Sequence, residues 1–92
     1  MTEWQIFVRT WEKHPVSRIF TMSLDVSANE TGASIMRKVM ERQGLTEIRL
    51  LYAGRQLEPE DTLSSRGILK EATLHRVTCG GRHYSLAELT KS

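Results

Sequence analysis

Residues 50–75 read LLYAGRQLEPEDTLSSRGILKEATLH. Leu50 and Leu51 precede a turn at Ala53 and Gly54, and apolar Leu57 follows, so the spacing predicts two short strands around a tight turn. Adjacent residues of a strand point to opposite faces, so one of the two leucines looks inward and the other outward. The polar stretch after Leu57 carries two apolar pins, Leu63 and Ile68, which mark a loop laid over a core. Residues 72–78, ATLHRVT, restore the alternation of a strand, with Leu74 inward and His75 and Val77 outward.

Upstream, residues 4–10, WQIFVRT, place Trp4, Ile6 and Val8 on one face and Gln5, Phe7 and Arg9 on the other. Residues 20–26, FTMSLDV, alternate in the same way, with Phe20, Met22, Leu24 and Val26 aligned. The two runs predict an antiparallel hairpin with one dry face. Residues 11–18 between them, WEKHPVSR, are polar, broken by Pro15 and without period, which predicts a long hairpin loop with Trp11 near its tip. Tryptophan is enriched in binding hot spots; Trp11 either meets a partner there or folds back and pins the loop.

Residues 27–45 change period. Ile35, Met36, Val39 and Met40 form a stripe at three-and-four spacing. Asn29, Thr31 and Ser34 are candidate N-caps, and Gln43, Gly44 and Leu45 suit a left-handed helix end with an apolar residue packing back. The element order is strand, strand, helix, strand, short strand, strand. That order predicts an α+β domain, a mixed sheet of four to five strands with one helix across one face. The expected core is Ile6, Val8, Met22, Leu24, Val26, Ile35, Val39, Leu50, Leu57, Leu63, Ile68 and Leu74.

Composition narrows the function classes. The 92 residues suit one domain, and a net charge of +2 does not argue for nucleic acid. The single cysteine, Cys79, cannot close an internal disulfide, and no ligand spacing suggests a metal. No base stands near Cys79 in the sequence, so it reads as a plain free thiol. His14 and His83 fall in loops and form no pair. No Ser/His/Asp set, carboxylate pair or phosphate loop appears, so neither catalysis nor a cofactor is expected. The apolar runs are far shorter than the ~20 residues of a membrane span, and the first residues carry no secretory pattern.

The chain resembles the ubiquitin-like proteins, whose fold is the β-grasp. QIFVRT resembles the opening strand of that family, and AGRQLE followed by TL and KEATLH resembles its second half. The resemblance covers roughly residues 4 to 81. It implies binding and tagging of proteins rather than catalysis. It places an apolar docking patch at Leu51, Gly54, His75 and Val77, with Arg9, Arg49 and Arg55 as a basic rim that favours acidic partners. Lys38 and Lys70 match lysines used for chain building, while Arg55 stands where the best-known acceptor lysine would be. The implied partners are ubiquitin-receptor domains, a processing protease, and activating and conjugating enzymes. A monomer in the cytoplasm or nucleus, without a membrane partner, fits the same reading.

Two departures bear on the fold. Gly32 stands where the family has an apolar residue, which predicts a looser helix start. Arg76 falls at a core-facing position, where its stem packs and its head reaches the edge. Gly80 and Gly81 match the end of mature family members, and a residue without Cβ passes through a narrow enzyme channel. The domain then comprises residues 1–79, with residues 80–92 as the diglycine and a flexible tail. Ser85 to Glu88 reads as a capping box, but so short a helix is marginal alone. Two readings stay open: a modifier or leader cut after Gly81, or an uncut interaction module whose glycines are a hinge. A short likeness of GGRHYSLA to the junction of ribosomal-protein fusions adds a leader of that kind as a further alternative.

Overall fold

The computed structural model describes residues 4–12, 18–78 and 80–90. The strands β1 (Trp4–Glu12) and β2 (Arg18–Val26) pair antiparallel in the register Ile6 to Leu24 and Val8 to Met22. The helix α1 (Gly32–Gln43) comes next. Then come β3 (Glu47–Ile48), β4 (Leu50–Tyr52), β5 (Arg55–Gln56) and β6 (Thr73–Arg76). The last elements are β7 (Tyr84–Ser85) and a single turn of helix, α2 (Leu86–Leu89). The main sheet has the order β2-β1-β6-β4-β5, with β6 parallel to β1 and the other pairs antiparallel. This mixed five-stranded sheet with its helix is the expected α+β β-grasp architecture.

The core lies between the sheet and α1. Every residue expected there is buried except Met22, which is half-buried and packs against it. Met36 and Met40 complete the helix stripe, and Ile48, Tyr84 and Leu89 join the same cluster. Ala53 and Gly54 both take positive φ, 53° and 79°, as the tight turn between β4 and β5 requires. Gly44 ends α1 at φ 66°, and Leu45 donates its N–H to Met40 O at 3.0 Å.

Three expectations are corrected. The helix start is not loose. Thr31 caps it, its Oγ1 accepting the Ser34 N–H at 3.1 Å. Gly32 and Ala33 donate to Asp61 O at 2.6 Å and Pro59 O at 3.0 Å. A Cβ on Gly32 would overlap the Glu58 carbonyl oxygen, so glycine is needed there for close approach of two backbones.

Trp11 is not on a loop. The hairpin continues beyond Arg9, pairing Thr10 with Phe20 and Trp11 with Ile19. Aromatic and β-branched partners across strands stabilise such pairs, and Thr10 carries the inward face onward as a buried residue. The tip of the hairpin, residues 13–17, and Cys79 lie outside the described residues.

Nor do the described residues of the tail trail away flexibly. After Gly81 the chain turns back, β7 pairs antiparallel with β3, and α2 packs on α1. Tyr84 and Leu89 are buried. The short capped helix gains from this packing what it lacks alone.

Candidate functional site

The face of the sheet away from α1 carries a row of residues across all five strands. Thr21 stands beside Arg9, Arg9 beside His75, His75 beside Leu51, and Leu51 beside Gln56. The alternation of each strand sends these side chains outward as a set. Arg9 and His75 are exposed and Leu51 is half-buried. One step further along the strands lies the pair Trp11 and Ile19, exposed by 54% and 57%. Val77, two residues beyond His75, is half-buried and donates its N–H to Arg49 O at 3.0 Å.

Together Arg9, Trp11, Ile19, His75, Val77 and Thr78 line a mostly apolar groove of about 520 Å3, with Arg76 at its floor. Arg76 does what its inward position predicted. It is half-buried, and its Nε reaches Thr10 Oγ1 at 3.4 Å, next to which it lies in the register. The floor is therefore cationic at one end and apolar along its walls. Such a groove suits an apolar side chain flanked by acidic ones.

The structure gathers some expected patch residues and separates others. Leu51, His75, Val77 and Arg9 share the open face. Gly54 and Arg55 are exposed at the β4–β5 turn, at the far edge of the sheet. The Arg55 carbonyl accepts from Arg66 Nη2 at 3.3 Å. Arg49 does not project as a rim charge. It is half-buried, its Nε donates to Gln56 Oε1 at 3.0 Å, and its guanidinium lies where a Cβ on Gly81 would go. Lys38 is engaged by Glu30 Oε2 at 2.6 Å and by the Asp25 carbonyl at 2.8 Å, while Lys70 is exposed. Ile19 was not singled out by the sequence. The signal was present in its pairing position opposite Trp11, once the hairpin is allowed to continue.

Gly80 and Gly81 sit at φ 72° and 57°, both in the left-handed region. They form a turn, not an extended arm. The turn is held from both sides. Gln56 Nε2 donates to Arg82 O at 2.6 Å, and Arg82 stacks 4.6 Å from the centre of the Tyr84 ring. The Tyr84 hydroxyl donates to Glu58 Oε1. Burial, and then that bond to a carboxylate, hold the Tyr84 phenol above its ordinary range, against the pull of Arg82.

Near the helix start, burial works to raise the Glu30 carboxyl. Hydrogen bonds from Lys38, Ser34 and Ser27 outweigh it and hold the group below the usual carboxylate range. Asp61 behaves likewise: burial raises it, and the Glu58 N–H and Arg66 bring it lower. These groups brace the fold on the helix side and do not face the groove. Among the described residues no three His, Cys, Asp or Glu side chains gather as metal ligands, and no helix is long and apolar enough to cross a membrane.

A family model, described as the ubiquitin family, matches residues 6–78. Two curated relatives carry the name ubiquitin-like protein 1–ribosomal protein eS31 fusion protein. That of Caenorhabditis elegans is 40% identical over 72 residues, and that of Caenorhabditis briggsae 38% over 72 residues. Each match takes in 76% of this chain and 37% of the relative, so the chain spans well under half the length of the relatives it matches.

Proposed function

This chain belongs to the ubiquitin family, and on that footing we propose that it is a protein-recognition domain, not a catalyst, which docks partners on its open sheet face. The observation that carries this reading is the groove in which Trp11, Ile19, His75 and Val77 meet Arg9 and Arg76. Leu51 continues the same face through His75. The apolar walls supply contact area, and the arginines draw an acidic flank and set its register. The partner is a receptor helix with a small apolar ridge and acidic neighbours.

The test is titration of such a helix into the wild type and into Leu51→Ala/Val77→Ala. Both side chains are half-exposed, so the double variant keeps its fold, and affinity falls at least about tenfold, as for truncation of hot-spot residues. Equal affinities for the two proteins would place the docking site elsewhere.

A second reading has its own support. The two relatives are named as fusions of a ubiquitin-like protein to a ribosomal protein, and Gly80 and Gly81 stand just beyond the matched domain. On this reading the chain is a modifier or leader, cut after Gly81, and a ribosomal protein is one candidate for the downstream part of a longer chain. A protease that takes the arm in extended form must first unwind the left-handed turn and free Arg82 from Gln56. Incubation with cell extract and intact mass measurement separates the readings. Loss of residues 82–92 supports the leader; an unchanged mass supports the uncut module. Lys38 and Lys70 remain the proposed acceptors should copies be linked, and a cytoplasmic or nuclear site of action accompanies either reading.

A further inference from the structure

The segment after the diglycine makes contacts of the kind a bound peptide makes. It lies outside the matched family region, residues 6–78, and is tethered through Gly80 and Gly81. It adds a strand to β3, which stands apart from the main sheet. Its anchors are the buried Tyr84 and Leu89. The receiving groups belong to the domain. Glu58 takes the Tyr84 hydroxyl, Gln56 holds the Arg82 carbonyl, and Arg37 Nη1 holds the Leu89 carbonyl at 2.5 Å. The segment also orders itself, through a reciprocal capping box of Ser85 and Glu88 and an Arg82–Glu88 pair at 2.5 Å.

The geometry points to a second recognition surface on the helix side, formed by β3, α1 and Glu58, which the chain fills with its own residues 82–90. It accepts in trans a peptide of the same chemistry: an arginine, an aromatic hydroxyl two residues on, and a leucine five residues further. The cis segment acts as an occupant at high effective concentration, through a tether of two glycines. Partners of this chemistry gain the groove only when the segment undocks. This second surface depends on neither cleavage after Gly81 nor the sheet-face groove.

The experiment uses the full chain, isotope-labelled, with Tyr84→Ala and Leu89→Ala disabling the cis occupant, and a synthetic peptide of residues 82–92 as the probe. Saturable shifts at Arg37, Ile48 and Glu58 are expected in the double variant. Binding to the wild type should be at least about tenfold weaker because its groove is filled. A peptide carrying Tyr84→Ala should lose most of the binding. Absence of shifts in the folded double variant, or equal affinity for both proteins, overturns the proposal. Amide exchange on the wild type decides the matter even if the double variant does not fold. The amides of Tyr84, Ser85 and Thr90 should exchange at least about tenfold faster than those of β1, through local undocking. If they exchange only with global unfolding, the segment is a fixed strut and the inference is wrong.

Discussion

Replacing Gly32 by alanine sets two effects of opposite sign against each other. Helix propensity alone favours alanine over glycine by about 1 kcal/mol in a helix interior. Sterics oppose it. The added Cβ would overlap the Glu58 carbonyl oxygen and crowd Leu57. That oxygen belongs to backbone and cannot rotate aside, so residues 57–61 must shift as a unit. Overpacking of this kind costs about 1–3 kcal/mol. The same shift strains the bonds from Gly32 to Asp61 O and from Ala33 to Pro59 O, at 2.6 and 3.0 Å. Each is worth about 1 kcal/mol. The losses exceed the propensity gain, and the net destabilisation is about 2–4 kcal/mol. A domain of this size holds roughly 5–14 kcal/mol in total. Urea unfolding followed by Trp4 and Trp11 fluorescence should show the midpoint falling by about 1–3 M. An unchanged or raised midpoint would refute the close approach of residue 58 and return the helix start to ordinary propensity.

Leu89→Ala should lower stability by about 2–4 kcal/mol in thermal or urea unfolding, whereas exposed Leu69→Ala should stay within about 0.5 kcal/mol. Equal effects would mean that residues 82–90 are not part of the core. Glu30 and Asp61 are held below their ordinary values of 4.5 and 3.8, so their stabilisation is present above those values and is lost as pH falls through the lower folded values. The urea midpoint should therefore drop below about pH 4.5, and Glu30→Gln should flatten that fall. Tyr84 is raised above its ordinary value of 10.0, so its contribution is full below that pH and is lost as pH climbs through the folded value. Absorbance titration should show one late phenol, absent in Tyr84→Phe; two ordinary phenols would remove the Glu58 contact.

Where period and turn chemistry agreed, the fold was legible from residues alone. The Ile6 and Val8 face, the Ile35 and Val39 stripe, Gly44 and the Ala53–Gly54 turn each depend on local rules. Three features were not legible, each for a tertiary reason. Pro15 and the charges around it suggested an early loop, yet Trp11 and Ile19 gain enough as a cross-strand pair to extend both strands. Gly32 looked like a weak helix start, because its partner, the Glu58 carbonyl, is distant in sequence. Tyr84 and Leu89 sat in a short polar run that could not stand alone, and their burial depends on a groove that exists only once α1 and β3 are assembled. Of the candidate site, Arg9, Leu51, His75 and Val77 were readable from alternation together with the family resemblance. The walls at Trp11 and Ile19 were not, and Arg49 turned inward because Gln56 offers it a carbonyl oxygen at 3.0 Å.

The central claim concerns which surface receives partners. It is tested most directly by mapping amide shifts of the full chain as an acidic receptor helix is added. Perturbations centred on Arg9, Trp11, His75, Val77 and Leu51, with α1 silent, are the predicted result. Shifts confined to α1 and residues 82–90, or none at saturating helix, would contradict it.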